Sequence, residues 1–431
     1  MEWTINTAHQ LSVSMLDFAA SYRKATYFAA AVALLAAVLA ASAVGFLVGP
    51  LSLVIGCVLS LVTLCALLLA ICGAMVLRRH LRSVGGHPDL FLALNTSRSE
   101  SSICAPDGFR AGSLRRIFAR TLLGHELLVG DEVEVCSREE ILATLDPHGA
   151  IAGIPFQAEM LKFCGQRGRV FRNVDKIYDY GRTKRMRRVD GCVLVVGLRC
   201  NGSDHGGCQA QCYLIWNVSW LRRPNEKPAS AAIVPVGHNV ADWQPHVGDA
   251  VGTALRYQCQ FTQLHAASKP LSDFGIGKEI RPWIAGNVTL GALCVGIATR
   301  AFNFAQSMRS GIGFPAMAQP TDGGSAVPSE TLAVGDRIQV RPMAEIAQSL
   351  NKSSRNKGLW FDRDMLKHCG GTFRVLARVD RIIDDSNGEM RQMKTPCIVL
   401  DGVHYSGEFL SFNAQHDYFF WREAWLKRLS V

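Results

Sequence analysis

A chain of 431 residues, 48% hydrophobic and formally +10 at pH 7, is too long for one small domain and has room for two or three, each able to bury a core. It has no phosphate-cradling glycine loop followed by Lys-Ser/Thr, no paired-histidine protease helix and no serine elbow, which sets aside the enzyme classes those motifs mark. Its fourteen cysteines fit a reducing compartment only if most are unpaired, so clustered cysteines point to metal or redox chemistry instead of staples.

Residues 1–26 form an N-terminal segment, and residues 27–77 read as a transmembrane helical hairpin. Stretches 28–48 and 51–77 carry no charge, each reaches the ~20 residues that span a bilayer, and Gly49-Pro50 breaks the helix between them. Arg23 and Lys24 precede the first stretch and Arg78, Arg79 and Arg82 follow the second. Positive charge on both flanks predicts both termini in the cytoplasm and an inner-membrane location. Residues 78–127 form a connector with a helix-forming stretch at 114–123.

Two modules follow, 128–224 and 333–431, separated by an irregular region at 225–332. They repeat one another at an offset of 205: GDEVEV at 130–135 lies on GDRIQV at 335–340, and Phe156, Met160, Leu161, Lys162 and Cys164 on Phe361, Met365, Leu366, Lys367 and Cys369. Trp216 and Trp220 lie on Trp421 and Trp425. Two copies at this period make an internal repeat of tandem domains, not a solenoid. Each module opens with a short strand after a Gly-Asp turn. A helix follows, capped in the first copy by Ser137 ahead of Glu139-Glu140, then a second helix over AEMLKFCG or RDMLKHCG, β-rich stretches, and a closing Trp-rich strand. The fold class predicted is α+β, mainly β: two tandem SH3-like small β-barrel modules with helical insertions, preceded by the transmembrane hairpin. Between the modules, residues 287–304 suggest a helix packed on the modules or lying at the membrane surface, and residues 314–330 a linker.

The strongest chemical signal is CNGSDHGGCQAQC at 200–212, which places Cys200, His205, Cys208 and Cys212 within one loop. Thiolate and imidazole suit tetrahedral zinc, and the interspersed glycines let one loop wrap an ion; iron is the alternative. Four ligands would make a closed, structural metal-binding site, with Cys192 or Cys164 able to replace one. At the matching positions the second copy has Tyr405, Leu410, Asn413 and Asp417, so the four candidates vanish together, as one unit would. Cys369 and Cys397 retain the positions of Cys164 and Cys192 and read as core packing. His404 and His416, flanked by aromatics, read as packing as well.

A second signal is a basic stretch at 165–190, with nine Arg or Lys against three Asp. Arg167, Arg169, Arg172, Lys184, Arg185, Arg187 and Arg188 are its candidates for an anionic partner. A membrane tether favours anionic lipid or a protein partner, and nucleic acid is the alternative.

The segments EEILATLD, GIPFQAEMLKFCG, LRCNGSDHGGCQAQC and WLRR in the first copy, with RNKGLWFDRDMLKHCG, VDRIIDD, MKTPCIVLDGV and WREAWLKR in the second, resemble a family of uncharacterised bacterial proteins with two Gly-Asp-x-Val-x-Val modules. That resemblance implies an accessory role in envelope polysaccharide or specialised-metabolite synthesis and no catalytic activity. Tyr405 and Asn413 depart from the cysteines usual in the family's second copy. The expected function is a membrane-anchored, cytoplasm-facing binding or scaffolding protein with one structural zinc site. The alternatives are a metal- or thiol-dependent enzyme using the 200–212 cluster and a membrane-tethered nucleic-acid-binding protein.

Overall fold

The computed structural model describes residues 73–76, 113–224, 248–251, 254–271, 277–317 and 330–429. The first module contains strands β1 (Glu132–Val135), β2 (Ala150–Ile151), β3 (Ile154–Pro155), β4 (Arg167–Asn173), β5 (Lys176–Tyr178), β6 (Met186–Arg188), β7 (Cys192–Val195), β8 (Trp216–Asn217) and β9 (Leu221–Arg222). Between the modules lie β10 (Gly248–Val251), β11 (Ala254–Tyr257) and β12 (Lys269–Pro270). The second module holds β13 (Arg337–Val340), β14 (Arg355–Asn356), β15 (Leu359–Trp360), β16 (Thr372–Ile383), β17 (Met390–Leu400) and β18 (Leu426–Arg428).

The pairings of the second module repeat those of the first at the offset of 205. Glu132 pairs with Arg169 as Arg337 pairs with Arg374, Glu134 with Arg222 as Gln339 with Lys427, and Val170 with Val195 as Val375 with Leu400. Even the break in register after Val170 recurs after Val375. Register is pinned because a one-residue slip would turn the buried side chains outward. Trp216, Trp220, Trp421 and Trp425 are all fully buried, with Phe156 edge-on to Trp220 at 5.3 Å and Phe361 edge-on to Trp425 at the same distance.

The predicted SH3-like small barrels are corrected by the strand order, which gives separate antiparallel sheets. The first module's sheet runs β8-β7-β4-β1-β9 and the second's β17-β16-β13-β18, with both sheets open and β5 and β6 in a separate sheet with β12. The segment expected as a closing strand breaks at a 3-10 turn, Val218–Trp220, between β8 and β9, so the chain turns the corner there without sealing the sheet. AEMLKFCG and RDMLKHCG form 3-10 helices, Ala158–Phe163 and Arg363–His368. The helix Arg138–Leu142 starts with a capping box, Glu140 N donating to Ser137 Oγ and Ser137 N to Glu140 Oε2.

The predicted transmembrane hairpin is also corrected. Its stretches 28–48 and 51–77 lie outside the described residues, residues 73–76 excepted, and among the described residues no helix is long and apolar enough to cross a membrane. The apolar helix Leu290–Met308 is interrupted by Arg300, Asn303 and Gln306. Part of its apolar side packs on protein, Ala292 and Leu293 with the preceding Val288 around Phe412 of the second module, while Leu290, Phe304 and Met308 are exposed. The two-span inner-membrane placement rested on that hairpin and has no span among the described residues to support it.

The modules dock by a reciprocal exchange. The loop after β7 in each reaches the β-hairpin of the other: Gln209 N donates to Arg381 O at 3.1 Å, and the equivalent Ala414 N donates to Lys176 O at 3.2 Å. Ile383 N donates to Cys208 Sγ at 3.4 Å, and the equivalent Tyr178 N to Asn413 Oδ1 at 3.2 Å. When residue i meets j′ and i′ meets j, the contact is isologous, as in a twofold dimer; here one chain supplies both halves. Arg172, buried, donates to Ser406 O at 3.2 Å, and Phe171 packs edge-on against His416 at 4.7 Å.

Two outcomes follow from this joint. Gln209 Oε1 accepts from Asp380 N at 2.7 Å and Arg381 N at 3.2 Å, so Gln209→Ala should cost about 1 kcal/mol in urea denaturation and speed hydrogen exchange at those two amides; unchanged exchange would remove this clamp. His416 is held neutral, its pKa pushed well below the usual imidazole range by burial and then by Arg172, His404 and Arg199. The unfolded chain takes up a proton below pH ~6.5 that the folded chain refuses, so stability is full above that pH and falls as pH drops. The urea midpoint should therefore be lower at pH 5 than at pH 7.5, with His416→Gln reducing the difference.

Candidate metal centre

The loop carrying the cysteines is built before any ion is considered. Cys200 N donates to Cys212 O at 2.8 Å, closing the loop at its base, and Gly207 N donates to Gly202 O at 2.8 Å. Gly202 has φ +70, and a Cβ there would lie 2.0 Å from Cys208 O; only glycine allows that approach. The second module repeats this turn at Gly407, φ +78, with a Cβ 2.1 Å from Asn413 O. The loop backbone therefore does not require cysteines.

Within that loop Cys200 Sγ and His205 Nε2 are 3.3 Å apart, both residues buried. The sequence reading missed a third member. Glu159, on the 3-10 helix Ala158–Phe163, is 4% exposed; its Oε2 accepts from Asn201 N at 3.2 Å, while its Oε1 is buried with no hydrogen-bond partner. One ligand atom from each of Glu159, Cys200 and His205 lies within 4.8 Å of the other two, and this group could hold a metal ion. A buried carboxylate oxygen without a partner is costly unless a cation or donor meets it.

Cys208 and Cys212 line the same cavity of about 30 Å³ as Cys200 and His205, together with Cys259 and Gln157. They do not join the three-residue group, and Cys208 Sγ is turned to Ile383 N of the other module. Of the four ligands predicted, the structure brings Cys200 and His205 into contact and leaves Cys208 and Cys212 on the wall. Cys192 is buried in the first core and Cys164 packs at its edge, both apart from the cavity lining.

Burial, and then the Glu159 charge, push the Cys200 thiol far above its usual range. Burial likewise raises Cys208 and Cys212 and pushes Cys259 up to about 12. His205 is shifted down by burial, partly offset by Glu159 and Asp204. Without a cation the thiols are protonated and the imidazole neutral at pH 7; a cation would have to displace thiol protons to bind.

The second module supplies an internal control. The counterpart of Glu159 is Asp364, also fully buried, but its oxygens accept from Ser406 N at 2.6 Å, Ser406 Oγ at 2.7 Å and Lys367 Nζ at 2.9 Å. With Tyr405 and Leu410 in place of Cys200 and His205, that carboxylate is satisfied by protein donors. His404 and His416 stack on each other at 4.5 Å, and His416 Nδ1 is 3.0 Å from Tyr405 O. Among the described residues they form no metal group. The signal for Glu159 was available in the sequence: an acid recurs at the offset of 205, in AEMLKFCG and RDMLKHCG.

The basic stretch does not present one cationic face. Arg167 and Arg169 pair with Glu134 and Glu132 across β1 and β4, at 3.1 Å and 2.8 Å, and Arg188 pairs with Asp190 at 2.6 Å. Arg172 and Arg187 are buried and donate to carbonyls, Arg187 to Ser268 O at 2.6 Å and His265 O at 3.0 Å. Lys184 and Arg185, with Arg182, remain exposed at the tip between β5 and β6. Compared with known protein families and with curated proteins, the chain matches none.

Because the thiols start protonated and His205 neutral, metal uptake should release about one proton per thiolate formed, and affinity should rise with pH by up to ~10-fold per unit per thiolate. Calorimetry in buffers of different ionisation enthalpy reads this directly. Uptake with no proton release would exclude thiolate ligands.

Proposed function

We propose that the protein is a two-module binding or scaffolding protein whose first module carries one structural zinc ion, held by Glu159, Cys200 and His205, with Cys208 or Cys212 completing the set. The observation that carries the reading is the buried, unpartnered Glu159 Oε1 beside Cys200 and His205, set against the fully satisfied Asp364 at the equivalent place. Carboxylate, imidazole and thiolate are zinc's usual donors, and four protein ligands would leave no open position for substrate. The cavity size favours the same side of the choice. About 30 Å³ holds a water or an ion, whereas substrate sites run to several hundred Å³. The ion would fasten the loop that docks onto the second module, so its work is to set the geometry of the joint. Envelope polysaccharide or specialised-metabolite synthesis as the setting rests on the family resemblance alone.

Elemental analysis of the purified chain should give one zinc per molecule, and chelation should lower the melting temperature by several degrees. Glu159→Gln, Cys200→Ser and His205→Ala should each reduce zinc content sharply, while Cys164→Ser retains it. A metal-free protein that takes up no added zinc, or a melting temperature indifferent to both chelator and zinc, would overturn the reading.

A further inference from the structure

Beside the cysteine cavity lies a larger cleft of about 320 Å³ between the modules, within the size range of small-molecule sites, which favour domain interfaces. Its walls are built of equivalent positions from the two copies: Tyr180 faces the site with Asp385, Ala210 with Gln415, and Cys212 with Asp417. The cleft therefore straddles the pseudo-twofold relation of the modules. A symmetric pair would present the same groups twice, but here the first copy gives an aromatic, a methyl and a thiol where the second gives two carboxyls and an amide. Divergence at these positions has made a cleft with a direction.

The charge of that cleft is unbalanced. Asp384 is paired with Arg391, and Asp179 with His265 at 2.9 Å. Asp385 is repelled by Asp417, Asp384 and Asp179, while Arg391 lines the same cleft and Arg182 and Arg256 line a neighbouring hollow with it. Asp417 faces Arg199, but that guanidinium lies over the rings of Tyr213 and Tyr418, at 3.8 Å and 4.5 Å, and donates to Gln211 O and His416 O. Asp417 Oδ1 is buried with no hydrogen-bond partner. Neither carboxyl of the pair has an ion-pair partner among the described residues. Tyr180, Tyr418 and Phe420 add aromatic surface to the same walls. Two mutually repelling carboxyls, one with an unpartnered oxygen, beside π-faces are the elements of ammonium recognition. A divalent ion fits less well, since these carboxyls form no preformed ligand group among the described residues.

We propose that the inter-module cleft binds a small organic cation, a primary amine or diamine whose ammonium group lies between Asp385 and Asp417. The cleft adjoins the cysteine cavity and shares Cys212 and Asp385 with it, whereas Asp417 and Tyr180 line the cleft alone, so Asp417 and Tyr180 are the positions that test the amine apart from the zinc. Bound amine would replace the missing countercharge and keep both carboxyls ionised. Burial, with the neighbouring acids, pushes the Asp385 carboxyl up to about 7.

Calorimetric titration of the full chain with 1,4-diaminobutane tests this, with 1,4-butanediol as neutral isostere and magnesium and calcium chloride as ionic controls. Saturable diamine binding at pH 8, with no binding of the diol, is expected. Asp385→Asn and Asp417→Asn should each weaken it at least ~10-fold, and Asp417→Asn should leave zinc content unchanged. Tyr180→Ala, at an exposed position, should weaken it with an unaltered melting temperature, which separates loss of the site from loss of the fold. Absence of diamine binding, equal binding by the diol, equal binding by the two Asn variants with intact melting, or displacement of the diamine by stoichiometric calcium or magnesium would each overturn the proposal.

Discussion

The reciprocal docking of each module's late loop onto the other's hairpin is the constraint on which the rest of the molecule depends. It is made of backbone groups, Gln209 N to Arg381 O and Ala414 N to Lys176 O, so it tolerates side-chain change so long as the loop keeps its shape. The shape is guaranteed by Gly202 and Gly407, which alone permit the chain to pass so close to Cys208 O and Asn413 O. Once those contacts are fixed, the side chains between them are free to diverge. In the first copy they became Cys200, His205, Cys208 and Cys212; in the second, Tyr405, Leu410, Asn413 and Asp417.

That freedom explains why Cys208 and Asn413 do the same job with different atoms. Both accept a hydrogen bond from the neighbouring module's strand, from Ile383 N and Tyr178 N respectively. A thiol is the weaker acceptor of the two, so the first loop is the one with most to gain from a further fastening. The same logic separates Glu159 from Asp364. The shorter acid is held by Lys367 and Ser406, whereas the Glu159 carboxylate lies against the Cys200 thiol and the His205 imidazole, its Oε1 without a hydrogen-bond partner. Identical folding of the two loops thus yields one satisfied polar site and one that lacks a partner.

The basic stretch teaches a related lesson about reading charge along a chain. Strand alternation and the hairpin split its arginines between opposite faces. Arg167 and Arg169 meet acids on β1, Arg172 and Arg187 enter the interior, and the tip alone keeps free charge. Local sequence records how much charge a segment carries, not which neighbours will neutralise it. The apolar helix Leu290–Met308 shows the same limit for hydrophobicity: only the fold tells which of its apolar residues meet Phe412 and which, such as Phe304 and Met308, stay exposed.

The duplication, the strand beginnings at Gly-Asp, the Ser137 cap and the buried tryptophans were legible in the sequence, because periodicity, capping chemistry and repeated aromatic spacing act over a few residues. Cys200 and His205 were legible for the same reason, five residues apart on one glycine-rich loop. Glu159 showed only as an acid recurring at the offset of 205; its place beside Cys200 was not legible, since it reaches the loop only through the module's packing. Whether the sheets close was equally invisible, because closure depends on how far the chain turns at Val218–Trp220 and not on any single residue type. The cleft belongs wholly to the tertiary structure: Asp385 and Asp417, thirty-two residues apart in sequence, come to one wall through the second copy's fold, and docking of the first copy adds Tyr180, Ala210 and Cys212.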